Sequence, residues 1–234
     1  MVKQKEFHVT ILSIFPDMFP GTLGFSIPKK ALEKGLWSYQ TVNIRDFGIG
    51  VHKRVDDPQC AGLGGMVMRA DVLSNAIDAH LAKGDDIFYL SPRGRKVSQS
   101  VIEEIVRSNR IMLICGRFEG VDERVLEEYN VKELSIGDFI LSGGEVAAMA
   151  LLEACVRILP GVLTDHRVVD DDSFGKGISG MLEYPLYTKP RTWKNKSIPE
   201  VLVSGNHEAV FRWKKQKSFE ITNLKRPDLI LEEK

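Results

Sequence analysis

The chain has 234 residues, 43% of them hydrophobic and 27% charged, and its 32 basic and 32 acidic side chains cancel to a net charge of zero. That length buries a full core and fits one larger and one smaller domain, with the composition of an ordinary globular protein. No apolar run reaches the roughly 20 residues of a membrane span, and Cys60, Cys115 and Cys155 are odd in number with no CxxC pair, which argues against a disulfide framework or structural zinc and fits a reducing cytoplasm.

Residues 7–14 (FHVTILSI) read as a buried first strand closed by Pro16; no small-residue cleavage site follows them, so they do not read as a signal peptide. Residues 28–36 predict a short helix with Pro28 at its start and Gly35 near its end. Trp37 to Asp46 predicts a second strand, and residues 47–69, rich in glycine, predict irregular chain. Asp71 is the expected cap of a helix through Lys83, ended by Gly84. A β-α rhythm follows: strand 87–90, helix 98–108, strand 111–114, helix 122–129, strand 131–136 and a long helix 144–159 stopped by Pro160-Gly161. Such alternation predicts an α/β fold, a parallel sheet with helices on both faces. The polar stretch 164–182, with Asp170-Asp171-Asp172-Ser173, predicts an interdomain linker between a domain over 1–163 and a small helical domain over 183–234. The last helix is expected to start at Asn206.

Charge is unevenly spread. Residues 187–226 hold ten Lys and Arg against Glu200, Glu208 and Glu220, a local +7 that leaves −7 for the rest. A basic patch on a neutral protein suits a polyanion, although a solvated helical face has the same composition. Trp193 and Trp213 interleave with these cations and suit stacking on RNA, whereas Phe211 is expected in the small domain's core.

Three glycine-marked loops each follow a predicted strand: Ser91-Pro92-Arg93-Gly94, Gly116 to Gly120, and Ser135-Ile136-Gly137-Asp138 running on to Ser142-Gly143-Gly144-Glu145. Ligands of parallel α/β sheets bind outside the carboxyl ends of the strands, so three such loops point to one small ligand approached closely by backbone. GxGxxG after the first strand and GxxxxGK[ST] are both missing, which disfavours a dinucleotide or triphosphate and leaves an adenosine-like ligand without pyrophosphate. His8, His52, His80, His166 and His207 are scattered and no HExxH occurs, so no metal-ligating set is expected.

In order along the chain, YLSPRG (89–94), GRFEG (116–120), SIGDFILSGGE (135–145), RILPGVL (157–163), DDSF (171–174), YPLYTKP (184–190) and VLVSGNHEAVFRWK (201–214) resemble the bacterial tRNA (guanine-N1)-methyltransferase family, of the SPOUT class. The resemblance implies an α/β domain containing a deep trefoil knot, S-adenosyl-L-methionine as methyl donor, and transfer to N1 of guanine 37 beside the anticodon. It also implies a homodimer with the tRNA anticodon stem-loop bound at the interface, and suggests Mg²⁺, for which the sequence shows no ligand cluster. By position it assigns the donor to Tyr89, Leu90, Ser91, Pro92, Gly94, Gly116, Glu119, Gly120, Ser135, Ile136, Gly137, Asp138, Leu141, Gly143 and Gly144. It matches Asp172 to the general base and Arg157 to the catalytic arginine.

The chemistry suits those residue types. N1 of guanine carries a proton near neutral pH, so a carboxylate must remove it while a cation stabilises the charge developing on O6. The two departures from the family pattern are a longer loop at 175–180 and Glu183 where many relatives carry aspartate. A related knotted methyltransferase acting on a different base or on a ribose hydroxyl, and an RNA-binding protein with a degenerate donor pocket, are the alternatives. The aspartate of DDSF weighs against a ribose target, and the intact loop glycines weigh against the RNA-binding protein.

Overall fold

The computed structural model of the protein describes residues 6–60, 64–164 and 167–231, with backbone only at 167, 168 and 231. His166 lies outside them. The chain divides into two compact units, Met1–Thr164 and Asp165–Lys234.

In the first unit the order is β1 (Phe7–Ser13), α1 (Ser26–Glu33), β2 (Trp37–Asn43), the short pair β3 (Asp56–Pro58) and β4 (Met66–Met68), α2 (Ala70–His80), β5 (Asp86–Lys96), α3 (Gln99–Arg107), β6 (Arg110–Ile114), α4 (Glu123–Glu128), β7 (Lys132–Ser135) and α5 (Gly144–Arg157). Five strands form one sheet in the order β2-β1-β6-β5-β7, and every pairing in it is parallel. Because side chains alternate along a strand, β1 sends Phe7, Val9 and Ile11 to one face and Leu12 to the other, and β6 divides Ile111 and Leu113 from Met112 and Ile114 in the same way. The first face is covered by α1, α3 and α5 through Ala31, Val101, Ile102, Ile105, Leu151, Leu152 and Val156. The second is covered by α2 and α4 through Val72, Leu73, Ile77, Val125 and Leu126. Strands covered on both faces have to be apolar throughout, which is why their runs are easy to see in the sequence.

The differences from expectation are local. Arg69, not Asp71, is the N-cap residue of α2; Asp71 sits in the first turn, held by the Arg69 guanidinium at 2.8 and 3.0 Å and by the Val72 amide at 2.9 Å. The helix ends at His80, where Leu81 turns extended, and the Ala82 amide donates to the Asp85 carboxylate at 3.1 Å. Within the stretch expected to be irregular, β3 and β4 pair antiparallel. Strand β5 runs on to Lys96, with a register shift between Leu90 and Arg95, both of which face Leu134 of β7.

The second unit holds α6 (Arg167–Asp171), a 3-10 turn at Lys176–Ile178, a hairpin of β8 (Thr192–Trp193) and β9 (Lys196–Ser197), α7 (His207–Lys225) and α8 (Asp228–Leu231). The Asn206 side chain caps α7 by accepting from the Ala209 amide at 3.0 Å. The expected linker therefore carries regular structure, and the boundary between units falls at its beginning. Its end is anchored by polar groups: the Leu182 amide donates to Thr222 Oγ1 at 2.9 Å, and Ser218 Oγ donates to the Leu182 carbonyl at 2.6 Å. Ser218 and Thr222 are fully buried, while Phe211 is 64% exposed. The inward stripe of α7 is thus partly hydroxyl, and Phe211 is not a core residue.

Candidate active site

The carboxyl ends of β5, β6 and β7 meet at a cleft of about 240 Å³ lined by residues 89–92, 116–120, 134–137, 139–144 and Ala147. Glycines let the loops approach their neighbours closely. At Gly116 a Cβ would lie 2.5 Å from the Tyr89 ring, and at Gly144 it would lie 2.8 Å from Cys115 Cα. The Gly144 amide donates to the Gly116 carbonyl at 3.0 Å, which ties the start of α5 to the loop after β6. That loop turns through a left-handed Phe118 (φ 61°) and Gly120 (φ 135°), the latter a conformation that glycine adopts cheaply. Strand β4 braces it: the Glu119 amide donates to the Met66 carbonyl and the Met68 amide to the Gly120 carbonyl, both at 2.9 Å.

Among the lining residues, Arg117 is the basic side chain and Glu119 the acidic one. Arg117 reaches inward, with Nη2 2.8 Å from Glu145 Oε2, and Glu145 is fully buried in the first turn of α5. Glu145 also accepts from Ser13 Oγ at 2.7 Å. The outer edge of the guanidinium donates to the Ser142 carbonyl at 3.2 Å and lies 4.6 Å above the Phe15 ring. The Tyr89 hydroxyl is pushed above the ordinary tyrosine range by burial first and by the Glu133 carboxylate next, so it remains a neutral phenol.

Every residue assigned to the donor by resemblance lines this cleft except Gly94 and Asp138. Gly94 faces the backbone of β7 instead, where a side chain would overlap Leu134 and Glu133. Asp138 points outward and pairs with Lys96 at 3.0 Å. The cleft adds Arg117, Phe118, Leu134, Phe139, Ile140, Ser142 and Ala147; most sit inside the matched motifs, between the residues that were singled out.

Arg157 is the last residue of α5, in the first unit. Asp172 follows α6 in the second, and its carbonyl accepts from the Gly175 amide at 2.8 Å. Near it, Glu183 is pushed above the ordinary carboxylate range by burial, then by Asp172 and Asp171, against the opposing pull of Lys214. Lys214 Nζ lies 4.4 Å from the Tyr184 ring. Among the described residues no group of three or more His, Cys, Asp or Glu is placed to hold a metal ion, and no helix is long and apolar enough to cross a membrane.

The profile of the tRNA (Guanine-1)-methyltransferase TrmD family matches residues 7–232. The chain belongs to this family. Its members include the tRNA (guanine-N(1)-)-methyltransferase of Rickettsia akari (strain Hartford), 49% identical over 227 residues, which are 95% of this chain and 97% of that protein. The protein of the same description from Ruegeria sp. (strain TM1040) is 50% identical over 223 residues, 94% of this chain and 90% of its own. That of Rickettsia prowazekii (strain Madrid E) is 47% identical over 227 residues. The family match spans both units, so it takes in the three cleft loops and the 171–183 segment together.

Proposed function

We propose that this member of the family transfers the methyl group of S-adenosyl-L-methionine to N1 of guanine 37 in tRNA, in the cytoplasm. The observation that carries the reading is the convergence of three glycine loops on one cleft at the carboxyl ends of β5, β6 and β7, in a chain that matches this family over nearly its whole length. The cleft fits such a donor. It is shaped by backbone and apolar side chains, its described lining holds no basic cradle for phosphates, and the charge of Arg117 is met by Glu145, so among the described residues Glu119 is its remaining charge. Tyr89, Leu90, Ser91, Pro92, Gly116, Gly120, Ser135, Ile136, Gly137, Leu141, Gly143 and Gly144 would hold the donor, which supplies an electrophilic methyl group when bound.

The remaining work falls to the chain's own side chains. The Asp172 carboxylate accepts the N1 proton of guanine, which exposes the nitrogen lone pair. The Arg157 guanidinium offsets the negative charge that then develops on O6. Loop backbone holds the partners in line and keeps water out. We further assign the sheet to a deep trefoil knot, a reading that rests on the family match alone. The cations of 187–226 are assigned to the phosphates of the anticodon stem-loop, in a homodimer whose active site lies at the subunit interface. No Mg²⁺ ligand set is assigned.

Digestion of a methylated tRNA transcript and mass spectrometry of its nucleosides tests the reading. 1-Methylguanosine as the product supports it; a 2′-O-methylated nucleoside or no methylated product contradicts it.

A further inference from the structure

A buried carboxylate beside a ligand cleft needs a reason, because removing an ion from water is costly unless its partner and hydrogen bonds are well placed. Glu145 is fully buried. It accepts from Ser13 Oγ at 2.7 Å and meets Arg117 Nη2 at 2.8 Å. The Arg117 side chain is 18% exposed; Nη1 donates to the Ser142 carbonyl and Phe15 lies beneath it, while the buried Nε has no hydrogen-bond partner among the described residues. Gly143 is the closest wall, since even a methyl group there would overlap the guanidinium. This arrangement fixes a cation in the lining of the cleft and at once cancels it from behind. The neighbouring Cys115 thiol is pushed well up by burial and by the Glu145 carboxylate, so it adds no charge of its own. Among the described residues Glu119 makes no ion pair, which leaves its carboxylate as the remaining charge of the lining.

We propose that Glu145 is a specificity-determining positioning residue. By neutralising Arg117 it leaves the cleft net negative, so that a sulfonium donor is favoured over its neutral thioether product. The inference rests on the proposed donor. S-adenosylmethionine and S-adenosylhomocysteine share every group except one methyl and one positive charge, so an uncompensated guanidinium in the cleft penalises the first and not the second. Preference for donor over product is what lets the spent ligand leave and a fresh one take its place.

The test is calorimetric titration of the full chain with each ligand, reading the ratio of the two dissociation constants. Glu145→Gln keeps the shape and the hydrogen bond from Ser13 but removes the charge. Two unit charges sharing a cleft of this size, at an effective dielectric constant of about 20, interact strongly enough to move a dissociation constant by about tenfold. The donor-to-product ratio of dissociation constants is therefore expected to rise by about that factor. The double variant Glu145→Gln with Arg117→Gln removes both charges and is expected to restore the wild-type ratio. A purely structural role for Glu145 weakens both ligands by the same factor and leaves the ratio unchanged, which overturns the proposal. Should Glu145→Gln fail to fold, Arg117→Met answers with the opposite sign. It leaves the carboxylate uncompensated, so the ratio should fall below wild type, and an unchanged ratio overturns the proposal equally. If the wild-type protein binds neither ligand, the donor assignment itself fails, an outcome distinct from an unchanged ratio.

Discussion

Replacing Gly94 with alanine tests how the cleft is built, because this glycine touches no ligand space. It lies in the part of β5 where the register against β7 shifts. A Cβ there would overlap the backbone nitrogen and carbonyl carbon of Leu134 and the carbonyl carbon of Glu133. All three are backbone atoms, so no side chain can swing aside; either β5 and β7 part or the 91–94 segment lifts. Forcing extra volume into such a contact costs about 1–3 kcal/mol, and backbone on the far side places this case at the upper end. For a chain of this size about 3 kcal/mol corresponds to a fall in Tm of roughly 6–12 °C. Since Ser91 and Pro92 line the cleft, lifting the segment should also weaken S-adenosylhomocysteine binding. Gly84→Ala is the control. Gly84 has φ 92° and open space around it, so its change costs about 1–2 kcal/mol for a left-handed backbone and leaves ligand binding alone. Thermal melts and calorimetry on both variants decide the matter. A Gly94→Ala protein with wild-type Tm and wild-type affinity would refute the reasoning.

Asp172→Asn is expected to slow single-turnover methyl transfer by about 10²-fold or more, as losing a general base does, with ligand affinity unchanged; near-wild-type transfer, with Asp171→Asn slow instead, would move the base by one residue. Glu183 has a raised folded pKa, so its charged form disfavours the fold. Glu183→Gln should then match wild-type stability at a pH below the ordinary glutamate range and exceed it increasingly as pH rises through that range, as read by urea melts; a stability difference that is constant with pH would contradict the linkage. Phe211 is largely exposed, so Phe211→Ala should change stability by no more than about 0.5 kcal/mol, against about 3–5 kcal/mol for a core phenylalanine. Replacing Lys214 and Lys215 with alanine should weaken tRNA binding and flatten the slope of log K against log salt by roughly 1–2; an unchanged slope would mark these lysines as a solvated face.

The strands and main helices of the first unit were legible in the sequence because burial on both faces demands unbroken apolar runs, as in Ile111 to Ile114. The cleft loops were legible because glycines recur just past those runs. What could not be read is the direction in which each glycine is crowded. Gly116 packs on the Tyr89 ring within the cleft and Gly94 on the backbone of a neighbouring strand, and the two look alike in sequence. Strands β3 and β4 are three residues each, too short for a period to emerge. Phe211 misleads because aromatic spacing on a helix suggests an apolar inner face. The partner of α7 at Ser218 and Thr222 is instead a polar backbone group at Leu182, far away along the chain. The Arg117, Glu145 and Ser13 cluster is hidden for the same reason, since three separate elements bring it together.

Transfer of a labelled methyl group from S-adenosyl-L-methionine to unmodified tRNA transcripts that differ only in carrying guanine or adenine at position 37 tests the central claim most directly. Label should enter the guanine transcript and be absent from the adenine one. Equal labelling of both, or of neither, would contradict the proposed function.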